Sequence, residues 1–258
     1  MTRRILYFVY GVASYAVFFA TFLYAIAFIG NCPKVRSLDG PRSGSLLAAI
    51  SVDAALLGLF AVQHSLMARP WFKERWTRIV PTVLERSTYV LFSSLALILL
   101  FAQWRPLGGA VWSVEEPLAR GVLWALFAFG WGLVLVATFL INHFDLFGLR
   151  QVWLQLVGRP YTRLVFGTPG PYRLVRHPLY VGWLFTFWMT PTMTVSHLFF
   201  AAMTTAYILI AIRFEEHDLV TEHGARYEDY RRRVPMLIPS LGRPASRPVA
   251  PQGSARMV

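Results

Sequence analysis

Long apolar runs alternate with short basic segments along this chain. Apolar residues dominate four stretches, at roughly 5–29, 45–67, 88–103 and 119–141. Because a helix that crosses a bilayer needs about 20 mostly apolar residues, these stretches predict four transmembrane helices.

A fifth apolar region, 179–212, is too long for one crossing of about 20–25 residues. Pro191 and the polar residues that follow it interrupt the region near its middle. The simplest prediction is a helical hairpin with two arms of about 16 residues each, which are short for membrane spans. A five-span bundle with one re-entrant arm is the alternative. The predicted fold is therefore an all-α integral membrane bundle of five to six transmembrane helices.

The composition agrees with a membrane location. The 258 residues are 56% hydrophobic and only 15% charged, whereas a soluble domain carries about 25% charged residues. A net charge of +12 would also suit a nucleic-acid-binding protein. However, the basic residues lie in short segments between apolar runs and in the C-terminal tail. That pattern is typical of membrane topology signals and of contact with anionic lipid, so the predicted partner is the lipid bilayer and not nucleic acid.

The distribution of lysine and arginine predicts the orientation. If the chain begins inside and makes six crossings, most of its 25 basic residues fall on the inner side. The exceptions are Lys34, Arg36, Arg42, Arg105 and Arg120. The positive-inside rule then predicts that both termini are cytoplasmic. The apolar run that starts at residue 5 is longer than the core of a signal peptide, so we interpret it as the first span.

Cysteine and histidine usage argues against a metal site. Cys32 is the only cysteine, which excludes an intrachain disulfide and a cysteine-based metal centre. The six histidines are scattered, without the His-x-x-His or His-x-x-x-His spacing of membrane di-iron oxygenases. We therefore predict no metal ligands.

Two polar clusters bracket the fifth apolar region. The first contains Arg176, His177, Pro178, Tyr180 and Gly182, and the second runs from Arg213 through Glu215 and Glu216. The order Arg-His-Pro-x-Tyr-x-Gly, then Glu-Glu-x-x-Leu, then Gly-x-x-Tyr-x-x-Tyr resembles the isoprenylcysteine carboxyl methyltransferase superfamily of integral membrane enzymes. The resemblance implies S-adenosylmethionine as the cofactor, held in a cytoplasmic cap that the 142–178 loop and the C-terminal helix form.

Within that resemblance, the first cluster is expected to bind the cofactor. Pro178 suits the first turn of a helix, which makes His177 the expected N-cap, and helix N-termini attract anions. We expect Arg176 and the helix end to hold the cofactor carboxylate, and Tyr180 either to form a hydrogen bond or to face the sulfonium. Gly182 is expected to remove bulk beside the ligand.

The second cluster completes the predicted cofactor site. Glu215 and Glu216 directly follow an apolar arm, a depth at which acidic residues are costly and usually paired or functional. One carboxylate is expected to bond the cofactor's ribose or amino group, and the other to pair with Arg176 or Arg213. Tyr227 is expected to pack over the adenine. The alternative is an ordinary amphipathic surface helix with charge pairs.

Three further polar residues lie where the second and fourth spans end, on the same predicted side. They are His64, His143 and Asp145. A carboxylate that orients an imidazole makes it a better base, so these residues are candidate catalytic groups. The alternative is that each histidine is hydrogen-bonded at the interface without a catalytic role.

A second, weaker layer of resemblance concerns the N-terminal half. The segments Gln63 to Pro70, Glu85 to Tyr89 and Gln103 to Pro106 resemble the bacterial methanethiol S-methyltransferases and their NnrU-like relatives. This likeness implies methyl transfer to a small volatile thiol, with dimethyl sulfide and S-adenosylhomocysteine as products. An alkanethiol needs a base because the thiolate is the nucleophile. Methylation of another lipophilic substrate, or a non-enzymatic NnrU-like membrane protein, are the alternatives.

The resemblance also divides the chain. Residues 1–141 are expected to form the substrate side, and 142–240 the cofactor-binding region with the hairpin at 179–212. The segment 241–258 is rich in Pro, Ser, Arg and Gly and is expected to be disordered. The predicted location is the bacterial inner membrane.

Overall fold

The computed structural model describes residues 1–240 as a bundle of helices with one small sheet. The predicted disordered tail at 241–258 lies outside the described residues. The helices are α1 (Thr2–Ile29), α2 (Leu46–Ala68), α3 (Pro70–Trp76), α4 (Thr82–Gln103), α5 (Pro117–Ile141), α6 (His143–Leu146), α7 (Leu149–Leu156), α8 (Pro178–Trp188), α9 (Val195–His223) and α10 (Ala225–Arg233). Two strands, β1 (Ala110–Ser113) and β2 (Thr192–Thr194), pair antiparallel.

Five of these helices are long and apolar enough to cross a membrane: α1, α2, α4, α5 and α9. The four predicted N-terminal spans correspond to α1, α2, α4 and α5. Helix α4 begins at Thr82, earlier than the predicted start at 88, so its first turns include Glu85 and Arg86. The protein is therefore a multi-pass membrane protein with the predicted all-α fold.

The predicted hairpin of two equal arms is wrong. Its first arm, α8, has only 11 residues. At 1.5 Å per residue it is about 16 Å long, roughly half of a hydrocarbon core. The chain then becomes extended, because the carbonyl of Pro191 accepts a bond from the Val114 amide and β2 pairs with β1. The second arm, α9, has 29 residues and continues well beyond 212.

The sheet marks one end of the bundle, which we call the strand end. Here the loop after α1 is fastened by Asp39, whose carboxylate accepts bonds from Asn31 Nδ2 at 2.6 Å and from Thr194 Oγ1. The opposite end, where α2, α5 and α9 finish and α4 and α8 begin, we call the polar end. The antiparallel order of these helices brings every predicted site residue to the polar end.

Helices α5 and α8 cross at two glycines. A Cβ on Gly182 would lie 2.8 Å from the carbonyl oxygen of Gly130, and a Cβ on Gly130 would lie 2.8 Å from that of Gly182. Real Cβ atoms do not approach backbone so closely, so this crossing requires glycine on both helices. The expected role of Gly182 beside a ligand is therefore wrong: its hydrogen faces α5.

The 142–178 segment divides into two halves with different neighbours. Its first half folds into α6 and α7, and α7 packs against α1 and α4. Its second half contains a 3-10 turn at Gly170–Arg173 and joins α10, since Tyr230 donates its hydroxyl to the Tyr172 carbonyl at 2.6 Å. Only this second half forms a cap with the C-terminal helix.

Candidate functional site

A charge network joins α8 to α9 at the polar end. Glu216 Oε1 accepts bonds from Arg176 Nε at 2.6 Å and from His177 Nε2 at 3.0 Å. Only 12% of the Glu216 side chain, 11% of Arg176 and 4% of His177 are exposed. Such a pair of partly buried charges is stable only when each partner is satisfied. The predicted pairing of one glutamate with Arg176 is therefore present, and Glu216 is the glutamate concerned.

The Arg176 guanidinium has further protein partners. Its Nη1 donates to the carbonyls of Arg231 at 3.0 Å and Val234 at 2.5 Å. Backbone bonds from the Arg176 and His177 amides to Pro235 and Met236 tie the same two segments together. Arg176 thus fastens the segment after α10 to the start of α8. Its expected bond to a cofactor carboxylate stays a prediction.

Glu215 is the more accessible of the two carboxylates. Its side chain is 44% exposed, and Tyr180 donates its hydroxyl to Oε2 at 2.9 Å. His177 Nδ1 lies 4.0 Å from the same oxygen. Glu215 is about 30 Å along α9 from its start at the strand end, at the boundary of the hydrocarbon core. The carboxylate is therefore held in place and still open to a ligand.

Local sequence explains why these side chains meet. Pro178 occupies the first turn of α8 and His177 is its N-cap, as the sequence predicts. Tyr180 then lies about one turn into the helix. Glu215 and Glu216 are neighbours on α9, so one faces Tyr180 while the other faces Arg176 and His177.

The buried hydroxyl of Tyr227 lies near this network and has no hydrogen-bond partner among the described residues. Burial raises the pKa of Tyr227 above its usual value, so its hydroxyl stays a donor. Buried polar groups normally have partners, which indicates that a polar ligand belongs here. The Tyr227 ring itself is only 1% exposed and packs against Phe166 and Tyr230. Its expected stacking on an adenine would therefore require the ring to move.

His64 has a defined hydrogen-bond environment on α2. Its Nε2 lies 2.8 Å from the Tyr89 hydroxyl, and its Nδ1 lies 3.2 Å from Ser93 Oγ and 3.1 Å from the Tyr89 hydroxyl. The ring stacks on Phe60, with 5.1 Å between centroids.

The end of α2 is also tied to α9. Ser65 Oγ and the Tyr207 hydroxyl are 3.2 Å apart, and Arg69 forms an ion pair with Asp218 at 2.8 Å. His64 therefore lies on the part of α2 that borders the half of α9 carrying Glu215.

Among the described residues, Asp145 bonds neither candidate histidine. His143 Nε2 bonds the Tyr15 hydroxyl at 2.9 Å and Nδ1 bonds Thr138 Oγ1 at 2.9 Å. Asp145 instead accepts from Arg150 at 2.8 Å and from Tyr161 at 3.3 Å. The short helix α6 directs the two side chains to different neighbours. Burial lowers the pKa of His143, which favours its neutral form. Catalytic roles for His143 and Asp145 remain predictions.

Several polar residues of the site were not singled out from the sequence. Tyr89 and Ser93 bond His64. The sequence does carry a signal for them: Arg86, Tyr89 and Ser93 recur at helical spacing in an otherwise apolar span, so they share one face of α4. Within residues 1–240, no group of three or more His, Cys, Asp or Glu side chains is arranged to hold a metal ion.

The fold and the site define a multi-pass helical membrane protein with a partly buried, charged site at one end of its bundle. Comparison with known proteins refines this class. The chain is 57% identical to a methanethiol S-methyltransferase of Crocosphaera subtropica over 91% of its own length and 92% of that protein. It is 52% identical to a methanethiol S-methyltransferase of Mycobacterium tuberculosis over 92% of its length and 97% of that protein. The chain belongs to the methanethiol S-methyltransferase family.

A more distant likeness extends to animals. The chain is 34% identical to nurim of Bos taurus over 68% of its length and 70% of that protein. No family model matches the chain, and no solved structure matches it.

Proposed function

We propose that this protein methylates methanethiol, with S-adenosylmethionine as the methyl donor and dimethyl sulfide as the product. The observation that carries the proposal is the identity of 57% and 52%, over nine-tenths of the chain, to proteins named for this reaction. The charged site at the polar end supplies the chemistry that such a donor requires.

The residues of the site fit the donor by their chemistry. S-adenosylmethionine carries a carboxylate, an ammonium group, ribose hydroxyls and a positive sulfonium. Glu215, fixed by Tyr180, offers an acceptor to the ammonium group or the ribose. Tyr227 offers an unpartnered hydroxyl. Once bound, the donor supplies an electrophilic methyl group on a good leaving group.

The buried charge network positions the site and does not itself contact the donor; its members are Arg176, His177 and Glu216. Their bonds hold the start of α8, the Glu215 segment of α9 and the chain after α10 in one arrangement. Alignment of the reacting atoms provides much of the rate of a displacement reaction, so this arrangement supports activity without touching the methyl group.

His64 is the proposed base among the three candidates. Its imidazole bonds Tyr89 and Ser93 of α4, and its helix α2 also contacts α9. His143 bonds Tyr15 and Thr138, and Asp145 bonds Arg150 and Tyr161. None of these partners belongs to α9, so we assign His143 and Asp145 a supporting role in the packing of α6. A small apolar thiol partitions into lipid and would reach His64 from the membrane.

The proposed location is the bacterial inner membrane with both termini and the polar end in the cytoplasm. The excess of arginine at the polar end supports this orientation. S-adenosylmethionine is made in the cytoplasm, so its site must open there.

The function is tested by headspace gas analysis of purified protein in lipid nanodiscs with methanethiol and S-adenosylmethionine. We expect dimethyl sulfide in proportion to S-adenosylhomocysteine formed. Calorimetry without thiol should detect donor binding. A protein that neither binds the donor nor forms dimethyl sulfide would support the non-enzymatic alternative, and methylation of only a larger lipophilic acceptor would contradict the thiol assignment.

A further inference from the structure

The imidazole of His64 has no free nitrogen to offer a substrate. Nδ1 lies 3.2 Å from Ser93 Oγ, and the Tyr89 hydroxyl lies 2.8 Å from Nε2 and 3.1 Å from Nδ1. One ring face is covered by Phe60, and the tilted ring of Tyr89 lies 5.0 Å away by centroid. If Nδ1 carries the proton and donates it to Ser93 Oγ, Nε2 is the acceptor. The proton that reaches Nε2 then has to come from Tyr89.

The Tyr89 hydroxyl lies on the side of His64 that borders the charged site. Glu215 and Tyr207 of α9 lie near enough to act on Tyr89 electrostatically, and Tyr89 acts on Tyr180 in the same way. The Arg86 guanidinium lies 5.5 Å from the centre of the Tyr89 ring, which holds the ring in place. With 9% exposure, Tyr89 is buried beside the histidine.

We propose that Tyr89 is a further catalytic residue, whose hydroxyl relays the thiol proton to His64. The inference rests on the proposed thiol methylation. A hydroxyl has one donor hydrogen and two acceptor lone pairs. Tyr89 can therefore donate to His64 Nε2 and accept from the substrate S–H at the same time.

The S–H bond breaks as its proton forms a new O–H bond on Tyr89, while the former Tyr89 proton forms an N–H bond on His64. The thiolate sulfur forms a bond to the donor methyl carbon, whose bond to the sulfonium breaks. Dimethyl sulfide and the neutral thioether of the donor leave. His64, now an imidazolium, releases its proton to water before the next turnover.

The test removes only the hydroxyl. Tyr89→Phe keeps the ring that packs against His64 and lies under Arg86. Transfer through a positioned acid–base group contributes roughly 10²–10⁴-fold, so we expect kcat for methanethiol to fall about 100-fold or more. Donor affinity by calorimetry should stay within about twofold, because Tyr89 makes no direct bond to Glu215. Tyr10→Phe is the matched control: its hydroxyl bonds Thr88 at 3.0 Å on the same helix, and its loss should leave kcat nearly unchanged.

The dependence of the Tyr89→Phe defect on the acidity of the thiol is a readout that a packing role alone would not change. Trifluoroethanethiol is a small thiol that ionises much more readily than methanethiol, so it needs less help from a relay. The defect of Tyr89→Phe should shrink at least tenfold with this acceptor, and also as the pH is raised. An equal defect with both thiols, or no defect with methanethiol, would overturn the relay.

Two controls separate the possible failures. If His64→Ala loses activity while Tyr89→Phe keeps it, His64 takes the proton directly, so the relay is wrong but the proposed function stands. If the wild-type protein forms no dimethyl sulfide, both are wrong. Should Tyr89→Phe fail to fold, trifluorotyrosine at position 89 preserves the shape and makes the hydroxyl more acidic. The relay then predicts a shifted pH–rate profile, and an unchanged profile would overturn it.

Discussion

The sharpest structural prediction concerns Glu216. Replacement of Glu216 by Ala removes the acceptor of two charge-assisted bonds, from Arg176 at 2.6 Å and His177 at 3.0 Å. Bonds to a charged group are worth about 1.5–3 kcal/mol each, and loss of one partner of a buried ion pair costs about 3–5 kcal/mol. Because Arg176 keeps its bonds to the Arg231 and Val234 carbonyls, we expect a destabilisation near the lower limit, about 3 kcal/mol.

The same change should weaken donor binding. Glu216 is mostly buried and already bonds Arg176 and His177. Its effect on donor affinity is therefore indirect, because it fixes the positions of Glu215 and of the start of α8. We expect the dissociation constant for S-adenosylmethionine to rise at least tenfold, which corresponds to a loss of about 1.4 kcal/mol of binding free energy. Glu215→Ala, by contrast, should weaken binding without comparable loss of stability, because its side chain is 44% exposed.

The assay combines thermal unfolding in detergent with calorimetry for Glu216→Ala, Arg176→Ala and the double variant. Side chains in direct contact are expected to couple by about 0.5–3 kcal/mol, so the double variant should lose less stability than the two single variants together. Glu222→Ala is the control, since Glu222 is an exposed carboxylate on the same helix. Unchanged stability and affinity in Glu216→Ala, or strict additivity in the double variant, would refute the reasoning.

His64→Ala should lower kcat about 100-fold or more with donor affinity preserved, and equal loss of both would contradict its assignment as the base. Gly182→Leu should destabilise the bundle by about 1–3 kcal/mol or more, because its Cβ would lie 2.8 Å from the Gly130 carbonyl oxygen. Gly121 on α5 faces open space, so Gly121→Leu is the control and should leave the thermal unfolding temperature nearly unchanged. Since burial lowers the pKa of His143, the unfolded chain binds its proton more readily than the folded one. Stability should therefore fall as the pH drops below the unfolded value of about 6.5. His143→Gln should flatten that acid limb, and an unchanged slope would count against this cause.

The large features of the fold could be predicted from local pattern. A run of about 20 apolar residues has one stable form in lipid, because every backbone polar group must be satisfied within the helix. The spans that became α1, α2, α4 and α5 follow from that rule alone. Where the rule was ambiguous, the prediction failed: the region 179–212 became an 11-residue helix, an extended segment and a 29-residue helix. The cause is the pairing of β2 with β1, a contact between segments about 80 residues apart that local pattern does not contain.

The candidate site likewise has features that the sequence predicts and features that it does not. Pro178 at the first turn of α8 and the adjacent Glu215 and Glu216 on α9 could be read from the chain, because they depend on a residue's own backbone preference and on its helical neighbours. Which glutamate pairs with Arg176 and which stays open depends on how α9 is rotated against α8.

Only the tertiary structure separated His64 from the other candidate bases. The sequence placed His64, His143 and Asp145 at one end of the bundle through the alternation of spans, yet the distance along a chain does not set which side chains meet. Packing of α2 between α4 and α9 gave His64 the hydroxyl of Tyr89, while α6 turned His143 toward Tyr15. The sequence thus determined the membrane fold and the candidate polar residues at its polar end, because these rest on local propensity and on the alternation of spans, and its motifs carried the likeness to the family. The partners within that set were decided by helix rotation and close packing, which arise only when the whole chain is assembled.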